Sequence, residues 1–410
     1  MRIAIVCNDT RGGVQPYVAL ARGLRAAGHE VQAVAPADLV GMFEGEGART
    51  TALAGNLEEL VRASGGAVER GTVAAMRLAA KEMPARIRGW TRAALDGCEG
   101  ADVITGGVGG MVVGLAAADK LGVPFVEAHL QPVGAPTDAY PGPLVASVPR
   151  WLGGWATRMS HHVSELGVWM PFRGAMDAAR ADLGLAGPST AAAGQPVIYA
   201  LSRHVVPVPA APPGGRPRHV TGYWSLPAPA GWEPPAELAA FLADPGPVVS
   251  IGFGSMPNSD PAAVTELVLG AVRDAGVRAV LLAGWGGLGA LPGSDDVWCA
   301  DALPHDWLFP RVAAVVHHGG AGTTGAGARA GVPSVVVPFT MDQPFWGGRI
   351  AALGVGPAPV PRGQLTRARL ADALRVAVTD DAMLARAATL GAAIRAEDGV
   401  GAAVAVLERV

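Results

Sequence analysis

The chain has 410 residues, half of them apolar and only 16% charged, which excludes intrinsic disorder and exceeds one ordinary core, so two domains of roughly 150–200 residues are expected. A formal charge of −3 excludes a global pull toward nucleic acid or anionic membrane, so any anionic ligand has to be held by local geometry. Three scattered cysteines (Cys7, Cys98, Cys299) without a CxxC pair exclude a disulfide framework and a thiolate zinc site, and suit a reducing cytoplasm.

In chain order, residues 2–7 read as a first strand. The apolar run stops at Asn8, Asp9 and Thr10, too soon for a secretory leader. A helix over 16–27 has apolar positions at Val18, Leu20, Ala21 and Leu24 and stops at Gly28; a strand over 30–35 follows. The weakly polar stretch 103–118 is interrupted by Gly-Gly-Val-Gly-Gly at 106–110, which predicts strand, loop and helix rather than a membrane span. Further strands are expected over 102–105, 125–129 and 197–201. Prolines at 207, 209, 212, 213, 217, 227, 229, 234 and 235 forbid a helix and place a linker at 206–235. The alternation restarts with strands over 248–253, 279–282, 297–299, 313–317 and 334–337. The pattern predicts an α/β protein: two Rossmann-like, doubly wound parallel sheets, in domains 1–205 and 236–385, facing each other across a cleft at the carboxyl ends of the strands. Residues 386–410 are expected as a C-terminal helix that packs back on the first domain.

One stretch stands out chemically: Val315-Val316-His317-His318-Gly319-Gly320-Ala321-Gly322-Thr323-Thr324-Gly325. An apolar strand enters a glycine-rich turn and a helix begins near Thr323. Glycine admits close backbone approach, and a helix N-terminus offers unpaired N–H groups and partial positive charge, which suits a pyrophosphate. The alternative is a tight turn with two incidental histidines. Neighbouring strand residues point to opposite faces, so one histidine meets the ligand while the other packs, and the pair is a poor zinc chelate. No Asp-x-Asp sequence occurs, so no metal site is expected.

Around this turn lie Leu-Pro-His-Asp-Trp-Leu-Phe (303–309), Arg-Ala-Gly-Val-Pro (329–333), Pro-Phe-Thr-Met-Asp-Gln-Pro-Phe-Trp-Gly (338–347) and Ala-Leu-Gly-Val-Gly (352–356). With His-His-Gly-Gly-Ala-Gly-Thr-Thr, these resemble the donor-binding half of the family 1 glycosyltransferases of GT-B fold, above all sterol glucosyltransferases and bacterial enzymes that decorate antibiotics and other natural products. Weaker likeness covers Gly-Phe-Gly-Ser-Met (252–256), Gly-Trp-Gly-Gly-Leu (284–288), Thr-Gly-Tyr-Trp (221–224) and Thr-Arg-Gly-Gly-Val-Gln-Pro (10–16).

The resemblance implies inverting transfer of a hexose or deoxyhexose from a UDP- or TDP-sugar to a hydrophobic small molecule in natural-product biosynthesis. The nucleotide sugar is a co-substrate, with no other cofactor, no nucleic-acid partner and no stable membrane insertion. His318 and Thr323, with backbone N–H groups of Gly320, Ala321 and Gly322, are implied to meet the diphosphate. Ser255 is implied there too, against the alternative of a turn or N-cap residue. Trp285 is implied to lie on the nucleobase, against the alternative of a core tryptophan, and backbone near Leu303 to read the base edge. Asp342 and Gln343 are implied to grip sugar hydroxyls, the alternative being a helix cap at Gln343-Pro344. The first domain is implied to bind the acceptor, with apolar surface from 56–95 (Met76, Met83, Trp90) and 151–172.

The chemistry needs a base. The related bacterial sequences carry Thr-Arg-Gly-Asp-Val in the first loop, where this chain reads Thr10-Arg11-Gly12-Gly13-Val14. Asp138, in the loop after the 125–129 strand, is the first candidate replacement, with Asp9 and His129 behind it and a turn-stabilising role as the alternative for Asp138. The missing carboxylate also admits a catalytically silent relative that only binds a nucleotide sugar or activates a partner enzyme. A dinucleotide oxidoreductase fits less well, because no GxGxxG follows the first strand. A nucleotide-sugar 2-epimerase lacks its acidic and basic constellation.

Overall fold

The computed structural model describes residues 1–55, 72–229, 231–254, 256, 260–284 and 294–410. They form two compact units, one from 1–55, Val73–Ser225 and Glu397–Val410, the other from Leu226–Ala396.

The first unit is built on a seven-stranded, all-parallel sheet: β1 (Arg2–Val6), β2 (Glu30–Pro36), β3 (Arg49–Leu53), β4 (Val103–Gly106), β5 (Phe125–His129), β6 (Val197–Tyr199) and β7 (Arg218–Val220). Its spatial order is β3-β2-β1-β4-β5-β6-β7, so the winding reverses between β1 and β4. Ile3 sits in register with Val31 on one side and Val103 on the other. The central strands are buried on both faces, as parallel sheets covered by helices require. Val6, Val34, Ile104, Val113 and Phe125 form part of one core.

The glycine cluster of 106–110 explains itself in packing. Helix Val108–Leu121 starts against the end of β1, and a Cβ on Gly110 or Gly109 would collide with the carbonyl oxygens of Val6 or Asn8. The first helix runs Arg11–Ala26, five residues earlier than the sequence suggests. The Thr10 carbonyl accepts from the N–H groups of Gly13 and Val14 and opens the first turn. Pro16 lies inside, and the buried stripe of Val14, Tyr17, Val18, Leu20, Ala21 and Leu24 outweighs its missing donor.

Strands β3 and β7 were not expected. Both are edge strands, and β7 lies within the proline-rich stretch read as linker; the first unit continues to Ser225. The tail expected as one helix from 386 is two, Asp381–Arg395 in the second unit and Gly399–Leu407 in the first. The latter is N-capped by Asp398 and packs on Arg11–Ala26, where Gly23 leaves room for Val400.

The second unit carries a five-stranded parallel sheet, β8 (Val248–Gly252), β9 (Arg278–Leu282), β10 (Val297–Ala300), β11 (Ala314–His317) and β12 (Ser334–Val336), in the order β10-β9-β8-β11-β12. Here the winding reverses between β8 and β11. Val249, Ile251, Val316 and Val335 pack with Val268, Leu370 and Leu374 in its core. No helix among the described residues is long and apolar enough to cross a membrane.

Candidate functional site

Open α/β sheets bind ligands outside the carboxyl ends of their strands where the winding reverses. In the second unit that place is the turn after β11, beside Gly254 after β8. His317, the last residue of β11, is buried, and its Nδ1 accepts the N–H of Gly319 at 3.0 Å. Its Nε2 has no partner among the described residues. Burial, then the neighbouring His318 and His305, push its pKa down to about 3, so the ring is neutral.

His318, the residue just after β11, is half-buried. Its imidazole fills a slot made by two missing side chains. A Cβ on Gly254 would lie 2.9 Å from its Cε1, and one on Gly320 would lie 2.5 Å from its Nε2. Gly254 also has φ +60, open to glycine at no steric cost. Burial and then His305 push the His318 pKa down to about 4. A neutral imidazole in this slot offers one N–H as a donor, and its buried Nδ1 has no partner among the described residues.

Helix Ala321–Ala330 begins directly after this slot, with Gly320 at the N-cap and neither a side-chain cap nor an acidic residue in its first turn. The N–H and hydroxyl of Thr324 both donate to the Gly320 carbonyl, each at 2.9 Å. The N–H groups of Ala321, Gly322 and Thr323 reach no acceptor among the described residues. The positive end of the helix is therefore uncompensated, which is the arrangement that receives a phosphate.

The loop after β12 abuts this turn: a Cβ on Gly319 would lie 3.0 Å from the Gln343 carbonyl oxygen. The buried Gln343 amide accepts from the N–H groups of Phe339 (2.7 Å) and Thr340 (3.1 Å) and reaches the Met256 sulfur at 3.1 Å. It holds the loop in shape. Asp342 precedes helix Gln343–Leu353 but does not cap it with its side chain; Oδ2 accepts the Trp346 indole N–H at 2.9 Å. Met341 just before it has φ 57, the one non-glycine residue with positive φ among those described, and such strain concentrates at functional loops. Leu303 is half-buried and packs against the core cluster that includes Leu308 and Val312. Ser255 and Trp285 lie outside the described residues. His305, stacked on Phe309 at 4.3 Å, was missed by the sequence reading; its place in Leu-Pro-His-Asp was the available signal.

In the first unit the winding reverses where β1 runs into Asn8 and Asp9. Asp9 Oδ1 accepts from Thr10, at 2.6 Å from the backbone N–H and 3.4 Å from the hydroxyl. A Cβ placed on Gly13 would fall inside the Asp9 carboxyl group, so Asp9 occupies the volume that a side chain at 13 would need. The other two candidates sit differently. Asp138 is largely exposed and 3.6 Å from Arg158. His129 is buried at the end of β5, with Nε2 2.9 Å from Glu127 and its ring tilted on Tyr199. Burial raises the Glu127 pKa, but His129 and Arg216 outweigh that and hold the carboxyl down to about 2. His129 Nε2 is thus tied to Glu127, while its buried Nδ1 has no partner among the described residues. No group of three or more His, Cys, Asp or Glu able to hold a metal ion occurs among the described residues.

Residues 283–400 match the model of the erythromycin biosynthesis protein CIII-like C-terminal domain. Across its whole length the chain is 34% identical to a sterol 3-beta-glucosyltransferase of Emericella nidulans and 33% identical to one of Cryptococcus neoformans. It spans 30% and 27% of those proteins, about a third of the length of the curated relatives. Among solved structures, the glycosyltransferase SnogD from Streptomyces nogalater matches with a TM-score of 0.68 at 21% identity, covering 100% of this chain and 99% of that one. The glycosyltransferase VinC, solved with DTDP, matches with a TM-score of 0.67 at 20% identity over 100% of both chains. The chain therefore has the GT-B fold of these bacterial glycosyltransferases, is similar over its whole length to part of the sterol 3-beta-glucosyltransferases, and over 283–400 matches the erythromycin biosynthesis protein CIII-like C-terminal domain.

Proposed function

We propose that the chain is an inverting, metal-independent glycosyltransferase that moves a hexose or deoxyhexose from a UDP- or TDP-sugar to a hydrophobic small molecule. The observation that carries this reading is the open N-terminus of helix Ala321–Ala330 with His318 held in its glycine slot. The diphosphate takes hydrogen bonds from the first-turn N–H groups, the Thr323 hydroxyl and His318. These donors are fixed before the reaction and face the charge that grows as the nucleoside diphosphate leaves. Fixed donors supply what a cation supplies elsewhere. Asp342, oriented by Trp346, accepts a sugar hydroxyl, and Gln343 keeps that loop in place. The acceptor oxygen or nitrogen attacks the anomeric carbon, the bond from that carbon to the diphosphate breaks, and the acceptor proton passes to a carboxylate. Asp9 is the proposed base, because it stands at the first unit's reversal point and fills the space over Gly13.

The complexes of VinC with DTDP and of SsfS6 with thymidine diphosphate support a TDP-sugar. The sterol relatives support an apolar acceptor. One observation favours a second reading: glycine at 13 in place of a carboxylate would suit a protein that binds a nucleotide sugar without turning it over. Titration calorimetry with TDP and UDP tests the site itself. Wild type should bind at least one of them, His318→Ala should bind at least about tenfold more weakly, and equal affinity in the two would remove the site from this turn.

A further inference from the structure

Helix Gly153–Trp169 in the first unit reverses the usual amphipathic arrangement. Its buried face is polar: the Ser160 and Ser164 hydroxyls accept from the N–H groups of Gly142 (2.8 Å) and Leu144 (3.1 Å), and His161 Nε2 lies 3.0 Å from the Tyr140 carbonyl. Its outer face is apolar. Trp155, Met159, Val163, Leu166 and Met170, spaced three or four residues apart, and Trp151 in the short turn before the helix, beyond Gly153 at φ 73, are 47–84% exposed and are six of the ten exposed large hydrophobic residues among those described. Folding alone does not favour this inversion, and contiguous apolar patches of such size mark interaction surfaces. From Trp155 to Met170 the stripe covers about 22 Å along the helix, longer than a small acceptor covers.

We propose that this stripe is the interface of a two-fold symmetric homodimer, in which the helix packs antiparallel on the same helix of a second copy. The charges along it are self-complementary. Arg158 and Glu165 stand two turns apart on one edge of the stripe. A two-fold axis crossing the helix between them brings Arg158 of each copy opposite Glu165 of the other, twice per interface. Among the described residues Arg158 pairs loosely with Asp138, at 3.6 Å with both side chains mostly exposed. A lipid surface is less suited, because the acidic Glu165 and Asp138 offset the basic Arg158 and Arg173 around the stripe. Two tryptophans at one end supply large contact area, about 150–250 Å² each when buried, toward the roughly 800 Å² per partner of a stable interface. The inference is independent of the glycosyltransferase reading.

Sedimentation equilibrium of the full chain tests it. A dimer is expected at micromolar concentration, and Trp155→Asp should raise its dissociation constant by on the order of thirtyfold or more. Arg158→Glu and Glu165→Arg should each weaken the dimer, while the double reversal restores it; the rescue separates pairing from misfolding. A monomer at all concentrations, a dimer indifferent to Trp155→Asp, or single reversals that the double variant fails to rescue would each overturn the proposal. A monomer that sediments with phosphatidylcholine or phosphatidylglycerol vesicles through this stripe would overturn it too, in favour of a membrane face.

Discussion

At Gly13 a missing side chain and the Asp9 carboxylate compete for one volume. The collision of a Gly13 Cβ with that carboxyl group means that the first loop has room for one carboxylate, and Asp9 provides it. Asp9→Asn should therefore lower kcat by about 10²-fold or more with donor affinity nearly unchanged. Gly13→Asp alone should destabilise the loop, and the exchange Asp9→Gly with Gly13→Asp should recover much of the lost turnover. Asp138→Asn and His129→Gln are the controls, and collapse of turnover in Asp138→Asn with full activity in Asp9→Asn would move the base to the exposed loop. The sequence put Asp138 ahead of Asp9 and His129, because its loop follows a strand of the first domain; separation along a chain does not reveal whose side chain fills a glycine's empty volume. It paired Gln343 with Asp342 as a hydroxyl grip; the Gln343 amide oxygen accepts from Phe339 and Thr340, and its nitrogen reaches the Met256 sulfur. Burial of His317 follows from its place at the end of an apolar strand. It has a pH consequence. His317 falls from the ordinary 6.5 to about 3 in the folded protein, so between those values the unfolded chain binds a proton that the folded chain does not. Its contribution to stability is complete above pH 6.5 and is lost as pH falls through that window. Thermal melts should therefore show a flatter acid limb for His317→Gln than for wild type. His318→Ala should instead act on turnover, by about 10²–10³-fold if it serves as a preorganised donor.

The N-terminus of helix Ala321–Ala330 makes opposite demands on stability and on binding. A carboxylate in its first turn stabilises a helix by about 0.3–1 kcal/mol, yet this turn has none. Thr323→Asp should leave the melting temperature equal or higher while weakening nucleotide binding at least about tenfold, since the new charge takes the anion's place. A variant that gained stability and kept its affinity would show that the ligand lies elsewhere. Elements whose physics is local were readable: β5 spans the residues expected, and the other strands of the two central cores fall within a residue or two. The edge strands β3 and β7 escaped because they lack a buried apolar run, with burial alternating only weakly in Arg49–Leu53 and half-burial throughout Arg218–Val220. The start of the first helix escaped because Pro16 reads as a helix beginning, while tertiary burial of Val14 and Tyr17 carries the helix back to Arg11.

For the whole molecule, the parallel two-sheet class was legible from alternation, but the order of the strands was not. Only the sheet order shows that Asp9 and His318 each follow a strand where the winding reverses. A net charge of −3 gives no general attraction for a nucleotide sugar, so the proposal makes binding rest on the N-terminus of helix Ala321–Ala330 and its neighbours. The most direct measurement is single-turnover transfer: excess protein, a TDP- or UDP-sugar, a panel of sterols and flat polycyclic aglycones, and EDTA in excess, with nucleoside diphosphate and glycoside quantified by mass spectrometry. The account predicts glycoside and nucleoside diphosphate in equal amounts at a rate unaffected by the chelator, and loss of both in Asp9→Asn. Tight nucleotide binding without any diphosphate release, or transfer that appears only when magnesium or manganese is restored, would contradict it.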